Sequence, residues 1–204
     1  MKKNKLLIPL MALTLAAGTF AFTQAYFTDQ KTITNTFEIG SVEIDLLEPS
    51  FEAIENAIPA KQYDKDPQVT NVGENDAFVY LEVRIPTVDV ICVDENGNKL
   101  TSAMSELFTM VDLDLTKWEP VQDKRLEGNE TVYVYGYKEK LGTNETTSAL
   151  FSKIQFANLI EGQTFDQTTF EESTLNVNVK AMAIQAEETG TMLEAYNKYI
   201  AQNS

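Results

Sequence analysis

Residues 77–85 alternate between two sets of side chains, and this alternation constrains the fold more than any other feature. The set expected to face the core comprises Ala77, Val79, Leu81, Val83 and Ile85. The opposite set comprises Phe78, Tyr80, Glu82 and Arg84. Successive side chains of a β-strand point to opposite faces of the sheet, so a period of two indicates a strand. The pattern predicts a half-buried strand, with Glu82 and Arg84 in solvent.

Other stretches share this period of two or carry turn signals. Alternation recurs in residues 32–47, 131–137 and 175–184, and we expect Val177 and Val179 of the last stretch to be buried with the first strand. Asn96-Gly97 predicts a hairpin turn, because this dipeptide favours positive φ. The remaining connections indicate less regular structure. We expect a crossing connection in residues 48–66, with a helical turn near 51–57, and an irregular segment in residues 102–115.

The C-terminal end changes period. Residues 191–201 place Met192, Ala195, Tyr196 and Tyr199 at helical spacing, which predicts a short C-terminal helix. Before it, the chain reads as about seven to nine strands separated by turn signals. We therefore expect an all-β fold, an antiparallel β-sandwich of jelly-roll or Greek-key type, with residues 26–204 forming one domain.

The N-terminal end has the layout of a signal peptide. Three lysines precede an uncharged run, residues 6–22, and small residues follow at Thr23 and Ala25. Cleavage is predicted between Ala25 and Tyr26, which makes residues 1–25 the signal peptide. The alternative is a transmembrane anchor, because a helix of this length at about 1.5 Å per residue comes close to spanning a hydrocarbon core. A proline and several small residues weaken that alternative, so no stable membrane anchor is expected after cleavage.

Composition excludes several classes of function. With 31 acidic and 16 basic residues, the chain carries a formal charge of −15, which disfavours binding to nucleic acid or anionic lipid. It contains no histidine, so Ser-His-Asp and Cys-His nucleophiles and His-containing zinc sites are ruled out. A single cysteine, Cys92, cannot close an intrachain disulfide. Hydrophobic residues make up 43% of the chain, enough for a core.

Two groups of acidic and amide residues raise the question of chemistry. Oxygen-bearing residues at 94, 96 and 98 resemble the start of a calcium loop, but the later bidentate glutamate is missing, which favours a hairpin turn. Asp112, Asp114 and Glu119 suggest paired catalytic carboxylates, although chance proximity is expected in so acidic a chain.

Other candidates have a structural explanation. Tyr133, Tyr135 and Tyr137 share one strand face, which favours a packing surface over a stacking platform for sugars or bases. Cys92 lies in an apolar run, which favours a buried, inert thiol. Sequons begin at Asn129 and Asn144.

Three stretches together resemble the camelysin/TasA-like secreted proteins. They are AYFTD at residues 25–29 with TNTFEIGSVEI at 34–44, KDPQVTNVG at 65–73 before DAFVYL at 76–81, and VKAMAIQAE at 179–187 before EAY at 194–196. The resemblance covers both ends and the first third of the chain, and residues 88–174 take no part in it.

The resemblance implies a jelly-roll domain in the extracellular matrix or on the surface of a Gram-positive cell, exported through a SipW-type signal peptidase. It also implies fibres, such as those of biofilms, in which residues 26–39 leave their own domain and complete a neighbouring subunit's sheet. The apolar residues of this assembly strand are Phe27, Ile33, Phe37 and Ile39. The alternatives are an ordinary first strand in a monomeric adhesion or ligand-binding module, and a camelysin-type metalloendopeptidase. Without histidine, the peptidase has little support, and no catalytic residue, metal ligand or cofactor is expected.

Overall fold

The structure is a computed structural model, and it describes residues 42–52, 54, 57–160, 176–187 and 190–203. All of these belong to one compact unit, Thr32–Ser204. The described ranges contain eleven strands and one helix. In chain order they are β1 (Ile44–Leu47), β2 (Gln62–Asp64), β3 (Gln68–Asn71), β4 (Ala77–Val90), β5 (Ala103–Glu106), β6 (Phe108–Val111), β7 (Trp118–Pro120), β8 (Arg125–Glu127), β9 (Glu130–Tyr137), β10 (Lys153–Phe156), β11 (Asn178–Gln185) and α1 (Met192–Asn203).

Every strand pair among the described residues is antiparallel, which confirms the predicted all-β class with its C-terminal helix. The largest sheet has the order β11-β4-β9-β7, with β5 also paired to β4 and β8 to β9. A three-stranded sheet has the order β2-β10-β6, and β1 pairs with β3. Strand β4, whose alternation gives the clearest strand prediction, lies inside the large sheet between β11 and β9.

The main core covers one face of the large sheet. Val79, Leu81, Val83 and Ile85 of β4 are at most 1% exposed, as predicted. Val177 and Val179 are buried in the same cluster, which also agrees with the prediction. The cluster continues into the smaller sheets through Val69, Phe108, Ile154 and Phe156. Because this cluster joins all three sheets, burial of apolar surface holds them together.

The opposite face of the large sheet is also covered, so the predicted half-buried strand is wrong on that face. Phe78 and Tyr80 of β4 are 3% and 0% exposed and pack in a second cluster with Met192, Ala195 and Tyr196 of α1. The fourth apolar position used to predict the helix, Tyr199, is partly buried against the same cluster. All four positions therefore form the packing face of the helix. The expected exposure of Glu82 is wrong for the same reason: it lies on this covered face and is only 9% exposed.

Helix α1 begins with a reciprocal cap. The Thr191 amide donates to Glu194 Oε2 at 2.8 Å, and the Glu194 amide donates to Thr191 Oγ1 at 3.3 Å. This arrangement satisfies amides that the first turn of a helix leaves without partners. The same contact to the Thr191 amide lowers the pKa of Glu194. The start of the predicted helix is thus fixed by local side chains as well as by burial.

Two predicted connections differ from the structure. Residues 102–115 contain β5 and β6 instead of an irregular segment, and β4 continues through Pro86 to Val90. Pro86 has no amide hydrogen to donate, but its carbonyl accepts the Leu107 amide at 2.8 Å, so this residue still pairs with the neighbouring chain. The predicted crossing connection, residues 48–66, contains β2, and the helical turn predicted near 51–57 lies partly outside the described residues.

Candidate functional site

The predicted cleavage and assembly residues lie outside the described residues. These are Ala25 and Tyr26 at the junction, and Phe27, Ile33, Phe37 and Ile39 in the assembly strand. The structure does describe the point at which the chain leaves them. Val42 is 1% exposed in the main core, and β1 follows immediately. Cα atoms of β1 come within 8 Å of those of β11, the end strand of the large sheet.

A buried ion pair fixes the chain just after β1. Lys65 is 3% exposed, and its Nζ lies 2.7 Å from Glu48 Oε1 and 4.1 Å from the centre of the Phe51 ring. Burial lowers the pKa of Lys65, since desolvation disfavours its charge more than Glu48 stabilises it. Beside it, the amide and hydroxyl of Ser50 donate to the Asp66 carboxylate at 2.8 and 2.9 Å. These contacts anchor β1 and the turn after it to the β2–β3 connection.

The other end of the large sheet is irregular. Strands β7 and β8 pair with the two ends of β9, β7 with residues 135–137 and β8 with residues 130–132. We call residues 118–127 the β7–β8 edge. The ladder stops at Pro120, opposite Tyr135, and resumes at Arg125, opposite Val132. Residues 121–124 therefore stand opposite only two residues of β9, which makes this segment a bulge with two extra residues. Bulges of this kind increase the local twist and interrupt the regular pattern of backbone donors and acceptors along an edge.

Charged residues hold the bulge from the helix side of the sheet. Arg84 donates to Glu82 at 2.7 Å, to Glu127 at 2.9 Å and to Glu130 at 3.3 Å. Arg125 contacts Glu127 at 2.5 Å and Glu82 at 3.5 Å. Burial acts to lower the pKa of Arg84, but the three carboxylates reverse that effect and raise it. Hydrogen bonding from Arg125 lowers the pKa of Glu127. We call these five residues the arginine–glutamate network.

A second contact holds the bulge from the core side. Lys124 donates to Glu106 at 3.0 Å and to the Tyr133 hydroxyl at 3.2 Å. The Tyr133 hydroxyl donates to both oxygens of Glu106, at 2.8 and 3.0 Å. Burial and the nearby Glu106 carboxylate raise the pKa of Tyr133, which keeps the phenol protonated. This triangle is a closed set of partners, and it attaches the bulge to the end of β5.

Helix α1 contacts the same bulge through Tyr196. Its hydroxyl donates to Gln122 Oε1 at 2.9 Å, and the Tyr80 hydroxyl donates to the Met192 carbonyl at 2.9 Å. A groove beside α1 is lined by Tyr80, Met182, Ala183, Ile184, Tyr196 and Tyr199. Because both buried hydroxyls already donate to protein acceptors, this groove presents mainly apolar surface.

The carboxylates predicted as a possible acid–base pair have separate partners. Asp112 accepts a hydrogen bond from Ser152 at 2.7 Å, while Asp114 accepts one from Ser148 at 2.9 Å and one from Thr116. Hydroxyl and amide donors, Thr116 first, lower the pKa of Asp114, so it stays ionised. Glu119 lies exposed on β7. Asp112 and Asp114 therefore serve as local acceptors in loops.

The Asp94 segment forms the predicted hairpin turn. Its carboxylate Oδ1 accepts the amides of Asn96 and Asn98 at 2.9 and 2.8 Å, and Gly97 adopts a φ of 82°. A bridge between Val93 and Lys99 closes the hairpin. Hydrogen bonds from Asn98 lower the pKa of Asp94. Its carboxylate is thus engaged within the turn, and the described residues contain no group of three or more acidic or cysteine side chains arranged to hold a metal.

The remaining candidates divide between core and surface. Tyr135 and Tyr137 are buried in the main core and Tyr133 packs against it, so the tyrosine face is a packing surface, as favoured. Cys92 is a free thiol of intermediate exposure, less buried than expected, because it lies at the margin of the core. The sequon asparagines Asn129 and Asn144 are both exposed in turns.

No family model, curated protein or solved structure matches this chain. Within the ranges that the structure describes, none of the helical residues forms a segment long and apolar enough to cross a membrane. The resemblance to camelysin/TasA-like proteins therefore stays a prediction.

Sequence reasoning missed the Lys65–Glu48 pair and the bulge. The ion pair joins two residues that are separated by β2 and the connection before it, and no local sequence pattern predicts it. The second had a signal, since Pro120 is followed by the polar run Gln122-Asp123-Lys124-Arg125, which interrupts any alternation.

Proposed function

We propose that this protein is a secreted structural component of the extracellular matrix or cell surface, which forms fibres when residues 26–39 of one copy add to the sheet of the next. The observation that carries the proposal is the position of β1. It follows the assembly segment, is anchored by Val42 and by the Lys65–Glu48 pair, and approaches the end strand β11. The first described strand, from which the assembly segment would extend, thus lies near the end of the large sheet.

Strand addition suits the composition of this segment. Ile33, Phe37 and Ile39 lie at odd positions and share one face of an extended strand, so they can fill alternate pockets. The contact joins different surfaces of two copies, so it has no closing two-fold symmetry and continues as a filament. A strongly acidic surface keeps the free subunit soluble until it assembles.

Deletion of residues 26–39 from the mature chain tests the proposal. The shortened protein should keep its buried Trp118, with the fluorescence of a folded protein, but form no fibres in electron micrographs. Adding a peptide of residues 26–39 should cap the subunits and stabilise them, while a peptide of scrambled sequence should not. Fibres of normal length from the shortened protein would refute strand donation.

A matched pair of substitutions separates side-chain pockets from charge. Phe37→Asp places a charge on the apolar face of the segment, whereas Thr36→Asp places the same charge on the opposite face. We expect Phe37→Asp to block fibre formation and Thr36→Asp to permit it. Equal effects of the two substitutions would show that the segment acts only through its charge. If the unsubstituted protein stays monomeric and dispersed under all conditions, the monomeric surface module replaces the fibre subunit.

A further inference from the structure

The hairpin turn at residues 94–98 holds an Asn-Gly dipeptide whose chemistry the proposed function does not use. Asn96 is exposed, and Gly97 follows it with a φ of 82° and open space where a Cβ atom would lie. The backbone nitrogen of a residue can attack the side-chain amide of an asparagine before it. Glycine hinders that approach least, because it has no Cβ atom. Asn96 is therefore the position in this turn at which the chain can modify itself.

The reaction is a deamidation through a cyclic imide. The Gly97 amide gives its proton to a base in the solvent, and the nitrogen forms a bond to Asn96 Cγ. The bond from Cγ to Nδ2 then breaks, and the leaving group takes a proton from water and departs as ammonia. Water next adds to one of the two imide carbonyls and opens the ring, which leaves aspartate or isoaspartate at position 96. The net change is the uptake of water and the loss of ammonia, so no oxidant or reductant is needed.

The folded turn opposes this reaction at the atoms that take part in it. The Gly97 amide, whose proton must leave, donates to the Asp94 carbonyl at 3.0 Å. Asp94 Oδ1 accepts the amides of Asn96 and Asn98 at 2.9 and 2.8 Å, and Oδ2 accepts Asn98 Nδ2 at 3.0 Å. These bonds fix the backbone on both sides of the peptide between Asn96 and Gly97. While they are intact, the Gly97 nitrogen is not free to turn toward Cγ.

We propose that Asn96 is a site of spontaneous deamidation, and that the Asp94 carboxylate sets the rate by keeping the turn closed. The reaction then proceeds from molecules in which the turn has opened, and its rate follows the population of that open form. The opening is local, because residues 95–98 are exposed and the hydrogen bonds that hold them lie within the turn. The product carries an added negative charge beside Asp94, and isoaspartate also lengthens the backbone path, so deamidation should weaken the hairpin. The inference does not depend on fibre formation.

Incubation of the protein at mildly alkaline pH, in buffer and in denaturing urea, tests the proposal. Peptide mapping by mass spectrometry measures deamidation at Asn96, and the fluorescence of the buried Trp118 confirms that each variant is folded in buffer. Asp94→Ala removes the acceptor, and Asp94→Asn keeps an acceptor oxygen without the charge. Glu95→Ala is the matched control, because it removes the same charge from the next, exposed residue of the turn. Each rate in buffer is divided by the rate of the same variant in urea, which removes any effect of the substitution on intrinsic reactivity.

We expect the unsubstituted protein to react more slowly in buffer than in urea. Asp94→Ala should raise the normalised rate about tenfold, because hydrogen bonds to a charged acceptor are among the stronger ones. Asp94→Asn should raise it less, and Glu95→Ala should leave it unchanged.

Leu81→Ala separates local opening from global unfolding. It weakens the main core away from the turn, so the rate at Asn96 should not change. An increase equal to that of Asp94→Ala would place the reaction in globally unfolded molecules and overturn the control by Asp94. Equal increases for Asp94→Ala and Glu95→Ala, or equal rates of the unsubstituted protein in buffer and in urea, would overturn it as well. Absence of deamidation at Asn96 even in urea would refute the site itself.

Discussion

Substitution of Gly136 tests how α1 is seated on the large sheet. A Cβ atom built at Gly136 would lie 2.2 Å from Met192 Sδ, 2.8 Å from Met192 Cε and 3.0 Å from Val121 Cγ1. Met192 is 3% exposed, so its thioether end has little room to move although the side chain itself is flexible. Glycine is required at this position because the helix approaches the strand closely, and positive φ is not the reason.

The expected magnitude follows from two opposing effects. Forcing a methyl group into a packed site costs about 1–3 kcal/mol. Replacing glycine by alanine restricts the unfolded chain and returns about 0.4–1 kcal/mol. We therefore expect Gly136→Ala to lower the free energy of unfolding by about 1–2 kcal/mol. Urea denaturation of the protein, followed by the fluorescence of Trp118, the one tryptophan, measures this change.

A double-mutant cycle decides whether Met192 is the cause. Met192→Ala alone should cost about 2–5 kcal/mol through the cavity it leaves. In that background Gly136→Ala should be neutral or slightly stabilising, so the two effects should not add. Gly128→Ala is the matched control: it has a φ of 59° and no atom within 4 Å of the added Cβ, so its cost should be the same in both backgrounds. If Gly136→Ala costs equally with and without Met192, contact with Met192 is not the cause of the loss.

Four further measurements address the core, the charges and the leader. Leu81→Ala should lower the free energy of unfolding by about 2–5 kcal/mol, because Leu81 is fully buried in the main core. Lys65→Ala should cost about 2–3 kcal/mol in the same assay, because it leaves a partly buried carboxylate without its cation. The charged form of Glu127 favours the folded state, because its pKa lies below the ordinary 4.5. This contribution to stability is complete above that pH and is lost as the pH falls through the lowered pKa. Glu127→Gln should therefore flatten the acid side of a plot of stability against pH. Mass spectrometry of secreted protein should show a chain that begins at Tyr26, and Ala25→Arg should trap the precursor.

Each of these has a contrary outcome. An unchanged midpoint for Leu81→Ala would mean that Leu81 is not packed in the main core. Lys65→Met keeps most of the aliphatic stem that packs near Phe51. Equal losses of stability for the methionine and alanine variants would assign the effect to the charge. No loss of stability in either variant would refute the stabilising role of the Lys65–Glu48 pair. Parallel pH curves for Glu127→Gln and the unsubstituted protein would show that the network does not favour the charged form. A secreted chain that begins beyond Ile33 would remove most of the assembly segment.

The parts of the fold that the sequence predicts best are the long segments with regular alternation. In β4, β9 and β11 alternation identifies the strand and its core face, because a period of two sustained over many residues has one simple explanation. The error lay in the second face of β4. Phe78 and Tyr80 occupy that face and are both large and apolar, and the apolar positions of α1 need a surface to cover. Together these two facts predict a helix packed on the sheet, although neither does alone.

Short or exposed strands gave no such pattern. Ala103 and Met104 of β5 are exposed, and β5 exists because the second half of β4 supplies its backbone partners. A propensity argument cannot find a strand whose side chains carry no burial signal, since its pairing is decided by the neighbour. The Lys65–Glu48 pair was hidden for a related reason, because only the fold brings the two residues together.

The polar clusters near the bulge engage several of the carboxylates of this acidic chain. Glu82, Glu106 and Glu127 each accept hydrogen bonds from cations that belong to the β7–β8 edge or face it. Their lone pairs are committed to holding one segment in an irregular form. These contacts therefore help to keep residues 118–127 in an irregular form, in which the edge offers no continuous row of backbone partners.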